Sequence, residues 1–217
     1  MVKRLPCPLT ERAARRVGLL SPFGSVKTAV LLALFFACLG VARAHALPVN
    51  LMVNAFVRVQ GHQADLIARV PTDLLRGVPF PIANGHYDVA QAGPSVELAR
   101  TLLADSFVLA ENDARLTPVQ SEGRLIPVSD RSFDQFDHAL ESVRAPMDTH
   151  TPIPYDSGYL LVHFTYPVTS DHSRFEIQSQ VAVDVGVLAP LTIRFQRGDD
   201  AGRAMIIQGG ADPVDLD

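Results

Sequence analysis

Beyond residue 46 the chain lacks both cysteine and lysine, since the two cysteines and the two lysines all come before that point. Without cysteine, residues 47–217 can hold neither a disulfide, nor a thiolate nucleophile, nor a cysteine metal ligand. The sequence also contains no Gly-x-Ser-x-Gly motif and no glycine-rich phosphate loop ahead of a helix. The sequence therefore lacks the most recognisable signatures of hydrolases and nucleotide-binding proteins.

Positive charge is scarce in the same part of the chain. Residues 1–46 hold seven of the 19 Lys and Arg residues and one of the 23 Asp and Glu residues. The remainder therefore has 12 basic and 22 acidic residues, a formal charge of −10. We expect no nucleic-acid partner, because affinity for nucleic acid depends on the neutralisation of phosphates by basic side chains.

No run of 18 or more apolar residues occurs, so no segment has the length that a transmembrane helix needs. The longest apolar segment, residues 28–41, follows Lys27 and precedes the small residues Ala42, Ala44 and Ala46. A charge, an apolar run and small residues in this order are typical of a secretory signal peptide. We predict a leader over residues 1–44 and a single periplasmic or extracytoplasmic β-rich domain over residues 45–217. The alternative is an uncleaved signal that anchors the chain in the membrane.

Alternation of apolar and polar residues predicts the strands. The clearest run places Leu160, Val162, Phe164 and Tyr166 on one face of a strand, and shorter runs follow after polar turns. We predict that residues 158–208 form a β-meander, in which consecutive strands are neighbours. Residues 49–59 and 65–70 should form a hairpin around Gly61.

Two helices are predicted between the strands, over residues 94–104 and 132–144. In the second helix, Ser132 and Gln135 fit a capping box. Its apolar residues recur at spacings of three and four and form one stripe: Phe133, Phe136, Leu140 and Val143. Seven or eight short strands with two inserted helices predict a mainly β fold, an antiparallel β-sandwich that could be immunoglobulin-like. The alternative is an α+β domain with one sheet packed on the helices.

The polar residues indicate no enzyme. Ser170, Asp171 and His172 are consecutive in a turn, where these residue types are common and cannot form a catalytic relay with one another. Six histidines beyond residue 46 show none of the spacings of metal motifs: His62, His86, His138, His150, His163 and His172. We expect His163 to be a satisfied core or interface histidine, and Asp134 with His138 to lie on a solvated helix face. We identify no catalytic residue and no small-molecule substrate, and a hydrolase is the least favoured alternative.

One metal site follows from the leader. Cleavage after Ala44 would make His45 the first residue, and a terminal amine with its own imidazole chelates Cu(II) or Ni(II). Cleavage after Ala46 would remove this residue. His45 is therefore the metal-ligand candidate, and we expect no other cofactor.

Three stretches resemble a known family: residues 78–81, residues 129–133 and, above all, residues 164–177, which read Phe-Thr-Tyr-Pro-Val-Thr-Ser-Asp-His-Ser-Arg-Phe-Glu-Ile. They resemble the N-terminal extracytoplasmic domain of HupE/UreJ-type membrane proteins, named for hydrogenase and urease accessory proteins and linked to nickel or cobalt uptake. The resemblance covers residues 44–217. In that family a bundle of transmembrane helices follows, and this sequence contains no such bundle.

The resemblance implies a non-enzymatic exported accessory domain that binds a membrane protein partner. The rival hypothesis, from a different class, is a periplasmic copper- or nickel-binding protein that uses His45. A neighbouring reading frame for the helical bundle would favour the first hypothesis, and a metal-sensitive spectrum of the purified protein would favour the second.

The copper hypothesis yields a direct prediction. A mature chain that begins at His45 should bind Cu(II), with Pro48 preventing a fourth backbone nitrogen from joining the chelate. Binding should weaken as the pH falls through about 6.5, because imidazole must lose its proton to coordinate. N-terminal sequencing establishes the first residue, and copper titration measures the affinity. A chain that begins at Leu47, or a His45→Ala variant that binds copper equally well, would contradict the hypothesis.

Overall fold

The computed structural model describes residues 51–198 and 200–217, and its first two strands are those that the alternation predicts. Strand β1 (Val53–Gln60) and strand β2 (Gln63–Pro71) pair in antiparallel register. Gly61 turns the chain between them with φ at +59°, a conformation that glycine adopts without steric cost. The predicted hairpin is confirmed.

A large sheet is built around this hairpin. It adds four strands: β7 (Gln120–Pro127), β8 (Gly158–Pro167), β10 (Leu191–Arg197) and β11 (Arg203–Ile207). Their spatial order is β11-β10-β1-β2-β8-β7. Every neighbouring pair is antiparallel except β1 with β10, which is parallel.

A smaller sheet packs against the large one. It has the order β12-β9-β5-β6 and consists of β5 (Phe107–Glu111), β6 (Ala114–Arg115), β9 (Phe175–Ser179) and β12 (Val214–Asp215). Phe175 of the small sheet and Phe195 of the large sheet lie 6.3 Å apart between ring centroids, within one continuous apolar core. The remaining pair, β3 (Ile82–Ala83) and β4 (His86–Tyr87), forms a separate two-stranded ribbon.

The fold is therefore mainly β and sandwich-like, with antiparallel sheets and two helices, as predicted. The predicted meander is wrong. Strand β8 lies between β2 and β7, β9 belongs to the small sheet, and β10 pairs with β1. Alternation specifies which side chains share a face, but both sheets offer apolar faces, so the pattern alone does not select a strand's neighbours.

Helix α1 (Gly93–Ser106) extends slightly beyond the predicted range and has Pro94 in its first turn. It buries Val96, Ala99 and Leu103 in the core between the sheets. Helix α2 (Phe136–Arg144) covers the outer face of the large sheet and buries Phe136, Ala139 and Val143. The predicted apolar stripe of this helix is confirmed, since Phe133 and Leu140 also pack against that cluster.

The predicted capping box is wrong. Ser132 lies in a short 3-10 turn (Ser132–Asp134), and α2 begins only at Phe136. Asp130 accepts hydrogen bonds from both the backbone N–H and the hydroxyl of Ser132. Ser132 is therefore used by a local turn, and Gln135 precedes the helix without a side-chain cap.

No helix in the described part of the chain, residues 51–198 and 200–217, is long and apolar enough to cross a membrane.

Burial of Phe164 leads to a stability prediction. Its ring is fully buried on the inner face of β8, with its centroid 6.5 Å from that of Tyr166. Phe164→Ala should lower the free energy of unfolding by about 3–5 kcal/mol, because it leaves a cavity in the core. Urea unfolding measures the change. The exposed Val119→Ala is the control and should stay within about 0.5 kcal/mol of the wild type; an unchanged midpoint for Phe164→Ala would contradict the core assignment.

Candidate functional site

Three ionisable side chains meet on the outer face of the large sheet, on neighbouring strands. His163 of β8 is fully buried, with Asp65 of β2 on one side and Glu122 of β7 on the other. The distance from His163 Nε2 to Asp65 Oδ1 is 2.8 Å, and that from His163 Nδ1 to Glu122 Oε2 is 2.9 Å. Glu122 is directly opposite His163 in the register, whereas Asp65 is opposite Thr165 and reaches His163 diagonally. We call these three residues the histidine network.

Both sides of the ring are satisfied. Each ring nitrogen of His163 lies within hydrogen-bond distance of a carboxylate oxygen. A buried polar group whose polar atoms all have partners avoids most of the cost of its burial.

Further donors surround the carboxylates. Gln63 Nε2 donates to Asp65 Oδ2 at 2.8 Å, and Thr165 Oγ1 donates to Asp65 Oδ1 at 3.1 Å. Burial raises the pKa of Asp65, but the hydrogen bonds from His163, Gln63 and Thr165 outweigh that effect, and the pKa falls below its ordinary value.

Glu122 is held in a similar way. Burial raises its pKa, whereas hydrogen bonds from His163 and Arg144 lower it, and the net direction is downward. Arg144 Nε donates to Glu122 Oε2 at 3.2 Å, which links helix α2 to the network. All members of the histidine network are thus hydrogen-bonded to one another or to fixed neighbours, and their geometry joins three strands and a helix. The expectation that His163 is a satisfied core histidine is confirmed.

A cavity of ≈ 510 Å³ lies on the same face, between α2 and the turn before β11. Two of its arginines are already engaged with the helix. Arg58 Nη1 donates to Asp137 Oδ1 at 2.8 Å, and its guanidinium lies 3.7 Å from the ring centroid of Phe136. Arg194 Nη1 donates to the carbonyl of Asp134 at 2.9 Å. These contacts fasten α2 to the sheet.

Residues 168–174, between β8 and β9, form an anchored turn. The buried Glu111 accepts hydrogen bonds from the backbone N–H of Thr169, at 2.9 Å to each oxygen, and of Ser170, at 3.2 Å. Burial raises the pKa of Glu111, whereas the hydrogen bonds from Ser173 and from these two backbone groups lower it. The hydrogen bonds have the larger effect, so the net shift is downward. The turn is therefore held by a carboxylate from the small sheet.

The consecutive Ser170, Asp171 and His172 do not form a relay in this turn. The Ser170 hydroxyl oxygen accepts from the His172 backbone N–H at 3.1 Å, and Asp171 accepts from the backbone N–H of Gly61 at 3.2 Å. Asp134, in the 3-10 turn before α2, lies 3.1 Å from His138 of α2, and both side chains are exposed to solvent, as expected.

The metal prediction cannot be placed on the fold. His45 and the boundary between residues 44 and 45 lie outside the described residues, so the copper or nickel site stays a prediction. Over residues 51–198 and 200–217, no group of three His, Cys, Asp or Glu side chains could hold a metal ion.

Sequence reasoning missed an apolar groove of ≈ 640 Å³ between α1 and residues 180–185. Leu98 and Leu102, one turn apart on α1, form one wall and are 41% and 44% exposed. Val185, 43% exposed, lies on the other wall. We call it the α1 groove. The sequence does carry a signal for this groove, since α1 is apolar on two faces. Val96, Ala99 and Leu103 face the core, and Leu98 and Leu102 form a second apolar face.

No family model matches the chain, and no curated protein matches it either.

The histidine network predicts a pH dependence of stability. Asp65 has a pKa below its ordinary value of 3.8, so its contribution is complete above that value and is lost as the pH falls below it. Asp65→Asn should lower the free energy of unfolding at neutral pH by about 1–3 kcal/mol, since the buried His163 loses a charged hydrogen-bond partner. The difference from the wild type should shrink towards low pH, which urea unfolding at stepped pH measures. Asp212→Asn, at an exposed position, is the control; parallel pH profiles for Asp65→Asn and the wild type would contradict the network.

Proposed function

We propose that the chain is exported and acts as a non-enzymatic binding or accessory module for a membrane protein of the HupE/UreJ type. The observation that carries the proposal is the α1 groove, which leaves large aliphatic side chains exposed together. Exposed apolar side chains that cluster around a depression are typical of interaction sites, whereas single exposed ones are common on any surface.

The lining of the groove indicates the chemistry of its partner. Leu98, Leu102 and Val185 offer aliphatic contact, which suits an apolar segment of the partner. The charged residues of the lining are two acids, Asp105 and Asp184, and one base, Arg76, in a domain whose formal charge is −10 beyond residue 46. We therefore infer that the segment is apolar with basic flanks and is exposed on the extracytoplasmic side of the membrane protein.

The histidine network supports the non-enzymatic part of the proposal. A general acid or base needs a proton that it can exchange with a bound substrate. His163 is fully buried, and both its nitrogens are taken up by Asp65 and Glu122. The group with the most obvious potential for acid–base chemistry is thus committed to holding the sheet together.

The experiment compares binding to two kinds of vesicle. Wild-type protein should co-sediment with membrane vesicles from the source cells, and should not co-sediment with protein-free liposomes of the same lipids. Leu102→Asp should weaken binding to the membrane vesicles by about tenfold or more, because a charge replaces a central apolar contact.

Val119→Asp is the matched control, because Val119 is 71% exposed and does not line the groove. It should bind like the wild type, and both variants should keep the wild-type unfolding midpoint. Equal binding by Leu102→Asp and the wild type would contradict the role of the groove. Binding to protein-free liposomes would contradict a protein partner.

A further inference from the structure

Strand β11 forms one edge of the large sheet and has few of the features that normally protect such an edge, with Arg203 as its single charge. Its five residues, Arg-Ala-Met-Ile-Ile, include no proline and no lysine, and they pair regularly with β10 from Arg203 to Ile207. Ile206 is 72% exposed. A regular apolar edge strand with free backbone groups is a template for pairing with another strand.

The other sheet edges are protected. The opposite edge of the large sheet, β7, carries Glu122 and Arg124, ends in Pro127 and packs against both helices. The edges of the small sheet, β6 and β12, are only two residues long each. Charges, proline, covering helices and short length are the ways in which natural sheets avoid unintended pairing. The contrast singles out β11.

The free side of β11 is unpaired in the described part of the chain. Apart from its ladder with β10, no backbone group of residues 203–207 bonds to another backbone group of residues 51–198 and 200–217. On the outer face, Ile206 is opposite Thr192, whose hydroxyl contacts the sulfur of Met52 at 3.2 Å. Met52 is itself exposed. The edge therefore combines free backbone groups with an apolar strip.

We propose that this edge pairs with the same strand of a second copy of the chain, in a two-fold antiparallel dimer. An antiparallel pair centred on Met205 places Ala204 opposite Ile206 of the second copy, and the reverse. A small and a large apolar side chain then meet twice on the outer face, which is a favourable cross-strand combination. The two large sheets would join into one.

The local charge pattern of β11 is compatible with a second copy as the occupant. Arg203 is the strand's single charge, and in this register it lies opposite Ile207 of the second copy, so no like charges face each other across the pair. Pairing with itself therefore brings no like charges together and matches small with large side chains on the outer face. A two-fold axis is also the commonest way in which identical chains associate. This inference does not depend on the α1 groove or on the proposed function.

The test is the oligomeric state of the purified protein. Sedimentation velocity over a range of concentrations should show a monomer–dimer equilibrium for the wild type. Ile206→Lys should weaken dimerisation by about tenfold or more, since it removes the apolar contact and places an additional charge on the edge. Val119→Lys, at a position of similar exposure away from this edge, should dimerise like the wild type.

Hydrogen exchange locates the interface. In the wild type, backbone amides on the free side of residues 203–207 should become more protected as the concentration rises, whereas those of Ile206→Lys should not. A wild type that stays monomeric at every concentration would overturn the proposal. A dimer that Ile206→Lys leaves intact, or one that protects the walls of the α1 groove in place of β11, would overturn it as well.

Discussion

Burial of β8 on both faces is the constraint on which the rest of the structure depends. Its inner face supplies Leu160, Val162, Phe164 and Tyr166 to the core between the sheets, and its outer face packs Leu161 against helix α2. A strand in that position cannot carry a fully buried polar side chain unless hydrogen-bond partners satisfy it. His163 is tolerated because β2 and β7 each bring a carboxylate to the ring. The neighbours of β8 are thus matched to it chemically as well as by backbone pairing.

Much of this fold could be predicted from local pattern. The period-two runs located β1, β2, β8, β9 and β10, and the stripe on α2 identified its buried face, because these signals depend only on which side of an element is apolar. Sheet membership could not be predicted, since β9 and β10 follow β8 in sequence but find neighbours elsewhere. The start of α2 was predicted wrongly because the Ser132 hydroxyl donates its hydrogen bond to Asp130, an acid outside the predicted capping box, and does not cap the helix.

The candidate sites also could not be predicted from local sequence, because their residues are far apart in the chain. The sequence indicated that His163 lies inside a strand, but Asp65 and Glu122 are 98 and 41 residues away, and no local spacing relates them. Conversely, Ser170, Asp171 and His172 are adjacent, and the turn directs the side-chain oxygens of Ser170 and Asp171 to backbone N–H groups. Adjacency in sequence and proximity of functional atoms are separate properties. Only the strand register, in which Glu122 lies opposite His163, connects the distant residues.

The two exposed apolar surfaces differ in how charge acts on them. The domain carries a formal charge of −10 beyond residue 46, so two copies repel one another at long range while β11 offers only short-range contacts between them. Added salt screens that repulsion and should favour the dimer. The basic-flanked segment proposed for the α1 groove would instead be attracted by the same field, and salt should weaken its binding. Net charge therefore acts in opposite directions on the two proposed contacts: it opposes pairing of two copies and favours binding of a basic-flanked segment, most strongly at low ionic strength.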